Sequence, residues 1–256
     1  MPKGTITDRP VEAIRVALIV AVVCALAVSS AAVFLRPYYA ANLEAQREAR
    51  LGSILETVQT ATTRIELGDI QMRVVHLETG VYDPAIDPAS YDARRAAADP
   101  SQSTVIAREF DHAGIKRREN HAVVYIVPGQ NLPSDIVILP IWGVGYQSAI
   151  YGYIALTSDN NEILGFKVYQ HGETPGLGSR IQNPQWEDQW KGKRAIGEAG
   201  QVVVHVGSRN DGYSADRVDA ITGATRTSMG IDGMVKFWLG DLGFGPYLDR
   251  LRRTRS

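Results

Sequence analysis

The sequence predicts an α+β fold: a single N-terminal transmembrane helix followed by a mixed α+β domain. Three observations predict it. Val16 to Leu35 (VALIVAVVCALAVSSAAVFL) runs 20 residues without a charge, and about 20 apolar residues at 1.5 Å each span a hydrocarbon core of about 30 Å. From His121 onward the texture turns to β-branched and aromatic runs bounded by turn residues. Strands and helices there do not alternate regularly, which argues against a doubly wound parallel sheet.

The apolar run is bracketed by Arg15 and Arg36, whose long side chains suit the two membrane interfaces. A cleaved signal peptide is the competing reading, with Ala25-Leu26-Ala27 as its cleavage site. The apolar stretch continues past that site to Leu35, which favours a retained anchor. Lys3, Arg9 and Arg15 on one side match Arg36, Arg47 and Arg50 on the other, so charge alone leaves the orientation tied. A short basic N-terminus before a large domain favours the N-terminus inside.

Behind the anchor, Tyr38 to Thr60 reads as a helix, with Leu51, Ile54, Leu55 and Val58 on one face. Met72 to Leu77 is strand-like, Asp83-Pro84 and Asp87-Pro88 are turns, and Tyr91 to Ala98 is a helix stopped by Asp99-Pro100. Ala122 to Val127 and Ile136 to Ile141 are strands joined through PGQNLPSD. Tyr151 to Leu156 and Ile163 to Tyr169 flank the hairpin connection SDNNE. Gln201 to Val206 reads as a further strand, and Pro184 to Trp190 and Thr225 to Leu239 as helices. The organisation expected is a stub and transmembrane helix over 1–36, a helical stalk and N-terminal extension over 37–120, and the principal domain over 121–256.

Composition narrows the function. A net charge of −1 offers no footprint for nucleic acid, and the arginines at 250, 252, 253 and 255 read as a solvated end. The one cysteine, Cys24, lies inside the apolar run, so the chain builds no disulfide, thiolate zinc site or cysteine-held iron–sulfur cluster. The five histidines show no pair at helical or turn spacing. Neither a catalytic triad nor a matched acid–base pair nor a metal-ligand set is evident.

Three segments interrupt the strands and helices: Gly143 to Ser148, Gly172 to Gly178, and Asp219 to Ser228. Glycine permits close backbone approach, and such loops can present N–H groups to a phosphate or a flat ring. Neither of the first two is a dinucleotide fingerprint, and each alone reads equally as a turn. The third reads as a plain helix start, or as hydroxyls gathered where a helix N-terminus favours an anion.

Asp219-x-x-Thr222-Gly223-Ala224-Thr225 resembles the flavinylation motif. With GETPGLG at 172–178, VILP at 137–140 and FWLGDLGFGP at 237–246, the chain resembles, from its N-terminal helix to its end, the family of C subunits of the sodium-translocating NADH:quinone reductase (Na+-NQR), its covalent-FMN subunits. That resemblance implies FMN joined by a phosphoester to Thr225, placed there from FAD by a flavin transferase. It implies cofactor contacts from Glu173, Thr174, Gly176, Leu177, Gly178, Thr222, Gly223, Ala224 and Ser228, with Asp219 fixing the turn or being read by the transferase. It further implies electron relay beside the other subunits of a six-subunit redox complex in the lipid of a bacterial inner membrane, the soluble domain lying on the periplasmic side. The related FMN subunit of Rnf-type ferredoxin:NAD oxidoreductases is the second reading. A membrane-anchored binding or assembly protein without redox chemistry is the alternative from another class.

Overall fold

The computed structural model describes residues 10–58, 70–129, 134–158, 162–208, 212 and 214–255. The middles of the PGQNLPSD and SDNNE connections, the stub with Lys3 and Arg9, and the expected end of the stalk helix at Thr60 lie outside the described residues. The chain divides into two units, Met1–Ala45 and Gln46–Ser256.

Helix α1, Pro10–Val58, is a single helix of 49 residues where the sequence suggested an anchor and a separate stalk. Within it Ala13–Leu35 is long and apolar enough to cross a membrane, and none of it is buried in the protein. An apolar surface of that length without protein cover is costly in water and comfortable in lipid. Further along, Ile54 and Leu55 are buried in a core cluster with Val74, Tyr125 and Tyr153.

The second unit is built on a sheet. Its strands are β1 (Gln71–His76), β2 (Val81–Tyr82), β5 (His121–Val127), β6 (Ile136–Val144), β7 (Ala149–Thr157) and β8 (Ile163–Gln170). They pair antiparallel in the order β2-β1-β5-β6-β7-β8. Both faces are covered. Along β6 and β7, Val137, Leu139, Ile154 and Leu156 join one cluster, while Ile138, Tyr153 and Ala155 join the other. Successive strand residues point to opposite faces, so burial on both sides explains why these strands read as unbroken apolar runs.

Helix α2 (Ala93–Ala98) begins on Asp92, whose carboxylate accepts from Arg94 N and Arg95 N. Strands β3 (Ser103–Val105) and β4 (Arg117–Glu119) form an antiparallel pair. Helix α3 (Pro184–Glu187) is capped by Asn183 and runs on as a 3-10 turn to Trp190. Two three-residue strands, β9 (His205–Gly207) and β10 (Arg217–Asp219), pair in parallel. Helix α4 (Thr225–Leu239) buries Ile231, Met234, Val235 and Trp238 against the first cluster.

One expectation is corrected. The strand read at Gln201 to Val206 shrinks to an isolated bridge at Val202 and the start of β9. Its backbone groups turn back on a loop instead, with Gly197 N donating to Gln201 O and Val203 N to Ala195 O. The basic C-terminus is helical: α5 spans Gly245–Arg255 and buries Tyr247 and Leu248. The Tyr247 hydroxyl lies 2.9 Å from that of Tyr82. The α+β class stands, with one N-terminal apolar helix ahead of the mixed domain.

Candidate functional site

The segment leaving β10 makes a tight turn before α4. Ala224 N donates to Ile221 O at 2.9 Å, and Gly223 between them has φ +82°, a conformation that glycine adopts without a Cβ penalty. Ala224 is the N-cap of α4 and no side chain caps the helix there. The first helical hydrogen bond closes from Ser228 N to Ala224 O. The N–H groups of Thr225, Arg226 and Thr227 therefore face outward from the positive end of the helix dipole.

The four hydroxyls of this segment have different fates. Thr227 is buried and donates its hydroxyl to Glu173 Oε2 at 2.5 Å. Ser228 is buried, its Oγ accepting from Ile221 N at 2.9 Å and closing the turn from within. Thr222 and Thr225 are exposed, and both line a cleft of about 890 Å³. Of these two only Thr225 belongs to the helix, at its first position.

Glu173 ties the glycine-rich loops together. Its side chain is buried; Oε1 accepts from Gln147 N at 2.9 Å and Ser148 N at 3.3 Å, while Oε2 takes the Thr227 hydroxyl. Burial alone would raise this carboxyl, but the hydrogen bonds from Thr227, Gln147, Ser148 and Tyr146 outweigh it and hold the group below its ordinary range. A Cβ at Gly145 would sit 2.5 Å from Oε1, and one at Gly178 would sit 2.9 Å from Oε2. The two glycines thus leave room for the carboxylate.

The remainder of the 172–178 loop folds on itself. Thr174 O accepts from Leu177 N and Ser179 N, and Gly176 N donates to Ser179 Oγ. Leu177 stays exposed, with its Cδ2 3.5 Å from where a Gly223 Cβ would stand. The expected site residues are thus drawn together from distant loops, since Glu173 and Thr227 are 54 positions apart in the chain. They meet in two ways: Thr222, Gly223, Thr225, Ser228 and Asp219 line the cleft, while the 173–178 loop abuts the turn from the side.

Sequence reasoning missed the opposite wall. Arg180, Gln185, Trp186 and Gln189 line the same cleft as Thr225. Trp186 Nε1 donates to Asp219 O and Gln189 Oε1 accepts from Asp219 N, so the segment PQWEDQW holds the backbone of the aspartate that opens the motif. Its two tryptophans and two glutamines within seven residues were the available signal. Arg226 lies over the Tyr146 ring, 5.4 Å from its centroid, and so draws the 143–148 loop toward α4. The uncapped helix start, the exposed threonine and a cleft of this volume fit a phosphate-bearing cofactor.

A family described as FMN-binding domain matches residues 145–240. The chain is 38% identical over 250 residues to the C subunit of the Na(+)-translocating NADH-quinone reductase of Pseudomonas aeruginosa, covering 94% of this chain and 95% of that one. It is 36% identical over 242 residues to the protein of the same name from Pasteurella multocida, covering 93% and 92%. The crystal structure of Shewanella oneidensis NqrC superposes with a TM-score of 0.70 at 31% identity, over 81% of this chain and 98% of that one. The resemblance drawn from Asp219 to Thr225, GETPGLG and FWLGDLGFGP is borne out along nearly the whole length, and the chain belongs to the family of Na(+)-translocating NADH-quinone reductase C subunits.

Proposed function

We propose that this chain carries FMN bonded through its phosphate to Thr225 Oγ and relays electrons within a membrane-bound, sodium-translocating NADH:quinone reductase. The observation that carries the reading is the hydroxyl census: Thr227 and Ser228 are committed inside the protein, while Thr225 stands exposed at an uncapped helix start. Attachment from FAD forms the Oγ–P bond as the pyrophosphate bond breaks; AMP leaves, and a base of the flavin transferase takes the threonine proton. The ester phosphate then meets the outward N–H groups of Thr225 to Thr227.

When bound, FMN supplies the electron-accepting and electron-donating chemistry, and the protein supplies placement and electrostatics. Thr222 flanks the phosphate, and Ser228 holds the turn beneath it through its bond from Ile221 N. Gly223 and Ala224 set the direction of the chain at the ester, and Asp219 anchors the turn through its backbone. Thr174, Gly176, Leu177 and Gly178 form the loop on which the ring rests, with Leu177 as its apolar contact. The domain over 121–256 acts as the cofactor-bearing part, held on the periplasmic side of the bacterial inner membrane by a single helix in lipid, beside the other subunits of the complex.

Mass spectrometry of the protein from its native membrane tests this. The peptide holding Thr225 should be heavier by one FMN less one water, and Thr225→Ala should abolish covalent flavin while the domain stays folded and membrane-bound. Flavin on another residue, or retained in full by Thr225→Ala, defeats the assignment. A reporter fused after Ser256 should be active only when exported; a cytoplasmic signal would reverse the topology.

A further inference from the structure

The family resemblance implied that Glu173 touches the cofactor, yet its carboxylate points into the protein, away from the cleft lining. Its donors come from two separate segments: the Gln147 and Ser148 backbones from the loop joining β6 and β7, and the Thr227 hydroxyl from the first turn of α4. Thr227 is two residues beyond Thr225 on that turn. The two glycines that would clash with the carboxylate, Gly145 and Gly178, come from the two loops that meet there. No side chain among the described residues caps the start of α4.

We propose that Glu173 is the positioning residue of the attachment site: it clamps the first turn of α4 to both glycine loops, fixing the direction of Thr225 Oγ, and sets a fixed negative charge beside the attached flavin. The inference rests on the reading that Thr225 bears FMN. Two consequences follow from elementary physics. An alkoxide nucleophile reaches phosphorus along one line, so a first turn left loose misdirects Oγ and slows its modification. A fixed negative charge disfavours adding electrons to a nearby flavin, so the charge holds the flavin's midpoint potential down.

The test uses the full chain in membranes, incubated with flavin transferase and FAD, and follows covalent flavin by mass and in-gel fluorescence. Wild-type protein left unmodified at Thr225 overturns the underlying reading, and with it the inference. With wild type modified, Glu173→Gln and Thr227→Val should each slow attachment roughly tenfold, the scale of one lost charge-assisted hydrogen bond. Thr227→Ser, which keeps the hydroxyl, should restore the wild-type rate and so separate positioning from folding. The double variant Glu173→Gln with Thr227→Val should be slowed by less than the product of the two single losses, because the Glu173–Thr227 bond is shared while Glu173→Gln also weakens the bonds from Gln147 and Ser148. In protein carried to full occupancy, Glu173→Gln should raise the flavin midpoint potential while Thr227→Val, which keeps the charge, should move it far less. Wild-type attachment rates in both single variants, additive losses in the double one, or a potential unmoved by Glu173→Gln overturns the proposal.

Discussion

Glu119 and Glu173 both expose little surface, 2% and 4%, but Glu119 lies the deeper of the two and their carboxyls shift in opposite directions. Glu173 has backbone and hydroxyl donors on its two oxygens and is held below the ordinary carboxylate range. Glu119, on β4, has one oxygen with no hydrogen-bond partner among the described residues. Burial pushes its carboxyl up to about 7; its own backbone N–H, Trp142 and Arg118 only partly oppose that. Depth and donor supply together set the charge of a buried acid: Glu119 is the deeper of the two and has fewer donors. A carboxylate loses its hydration on burial and takes up a proton unless the protein replaces that hydration. The donor-rich acid is the one beside the cleft, where three loops have to be held together.

The same contrast separates the starts of the helices. α2 and α3 begin on Asp92 and Asn183, each capping its own first turn. α4, far longer, begins on Ala224 with no cap. A short helix depends heavily on its cap, whereas α4 is held by Ile231, Met234 and Trp238 in the core and can leave its first N–H groups facing a ligand. Among the helix starts local satisfaction marks structure and an outward-facing start marks the site, while among the buried acids the one at the site is the one whose donors come from other segments.

Replacing Glu119 carries the largest expected effect on stability. Its folded-state pKa lies above the unfolded value of 4.5, so the folded form holds a proton that the unfolded form releases. Its contribution is present below about pH 4.5 and is lost as pH rises to about 7. Glu119→Gln should abolish this decline and stabilise the domain above pH 7 by on the order of 3 kcal/mol. Chemical unfolding of both proteins at pH 5 and pH 8 measures it. A gap that does not widen toward pH 8 would mean that Glu119 finds donors the comparison denies it.

Glu173 should behave with the opposite sign. Its folded pKa is depressed, so its contribution is present above the ordinary carboxylate pKa and is lost as pH falls through the folded value. Glu173→Gln should cost about 1–2 kcal/mol at neutral pH, as expected for weakened charge-assisted hydrogen bonds. The gap from wild type should close in acid. A cost that is independent of pH would make Glu173 a space-filling group, and the contrast with Glu119 would collapse.

How much of this was legible in the sequence depended on distance along the chain. The long strands β5 to β8 declared themselves because each is rich in β-branched and aromatic residues in a doubly covered sheet. The family was legible because the motif from Asp219 to Thr225 is contiguous. The pair β3 and β4 was not: Ser103–Val105 and Arg117–Glu119 are three residues each, and the second is all charge where strands show apolar alternation. α5 hid its two buried residues, Tyr247 and Leu248, among arginines. The inward turn of Glu173 was invisible because its partner Thr227 is 54 residues away, and only a packed fold brings them within a hydrogen bond.

An exposed carboxylate completes the series and gives the smallest effect. Asp92 stands in solvent at the start of α2, with Oδ1 accepting from Arg94 N at 3.0 Å and Arg95 N at 3.1 Å. Helix α2 has six residues and buries only Ala96 among them, so little else holds its first turn. Replacing Asp92 removes an acceptor from N–H groups that water can reach, and water refills most of what is lost. Asp92→Ala should therefore cost about 1 kcal/mol, the usual worth of an N-cap. Protein loaded with flavin and protein free of it should lose the same amount, because the bonds that Asp92 makes to Arg94 and Arg95 stay within its own helix. Thermal unfolding of the two forms decides the matter, with covalent flavin occupancy measured alongside. Reduced occupancy in Asp92→Ala would show that α2 is coupled to the cleft. The division between locally satisfied structure and an outward-facing site would then fail at its weakest point.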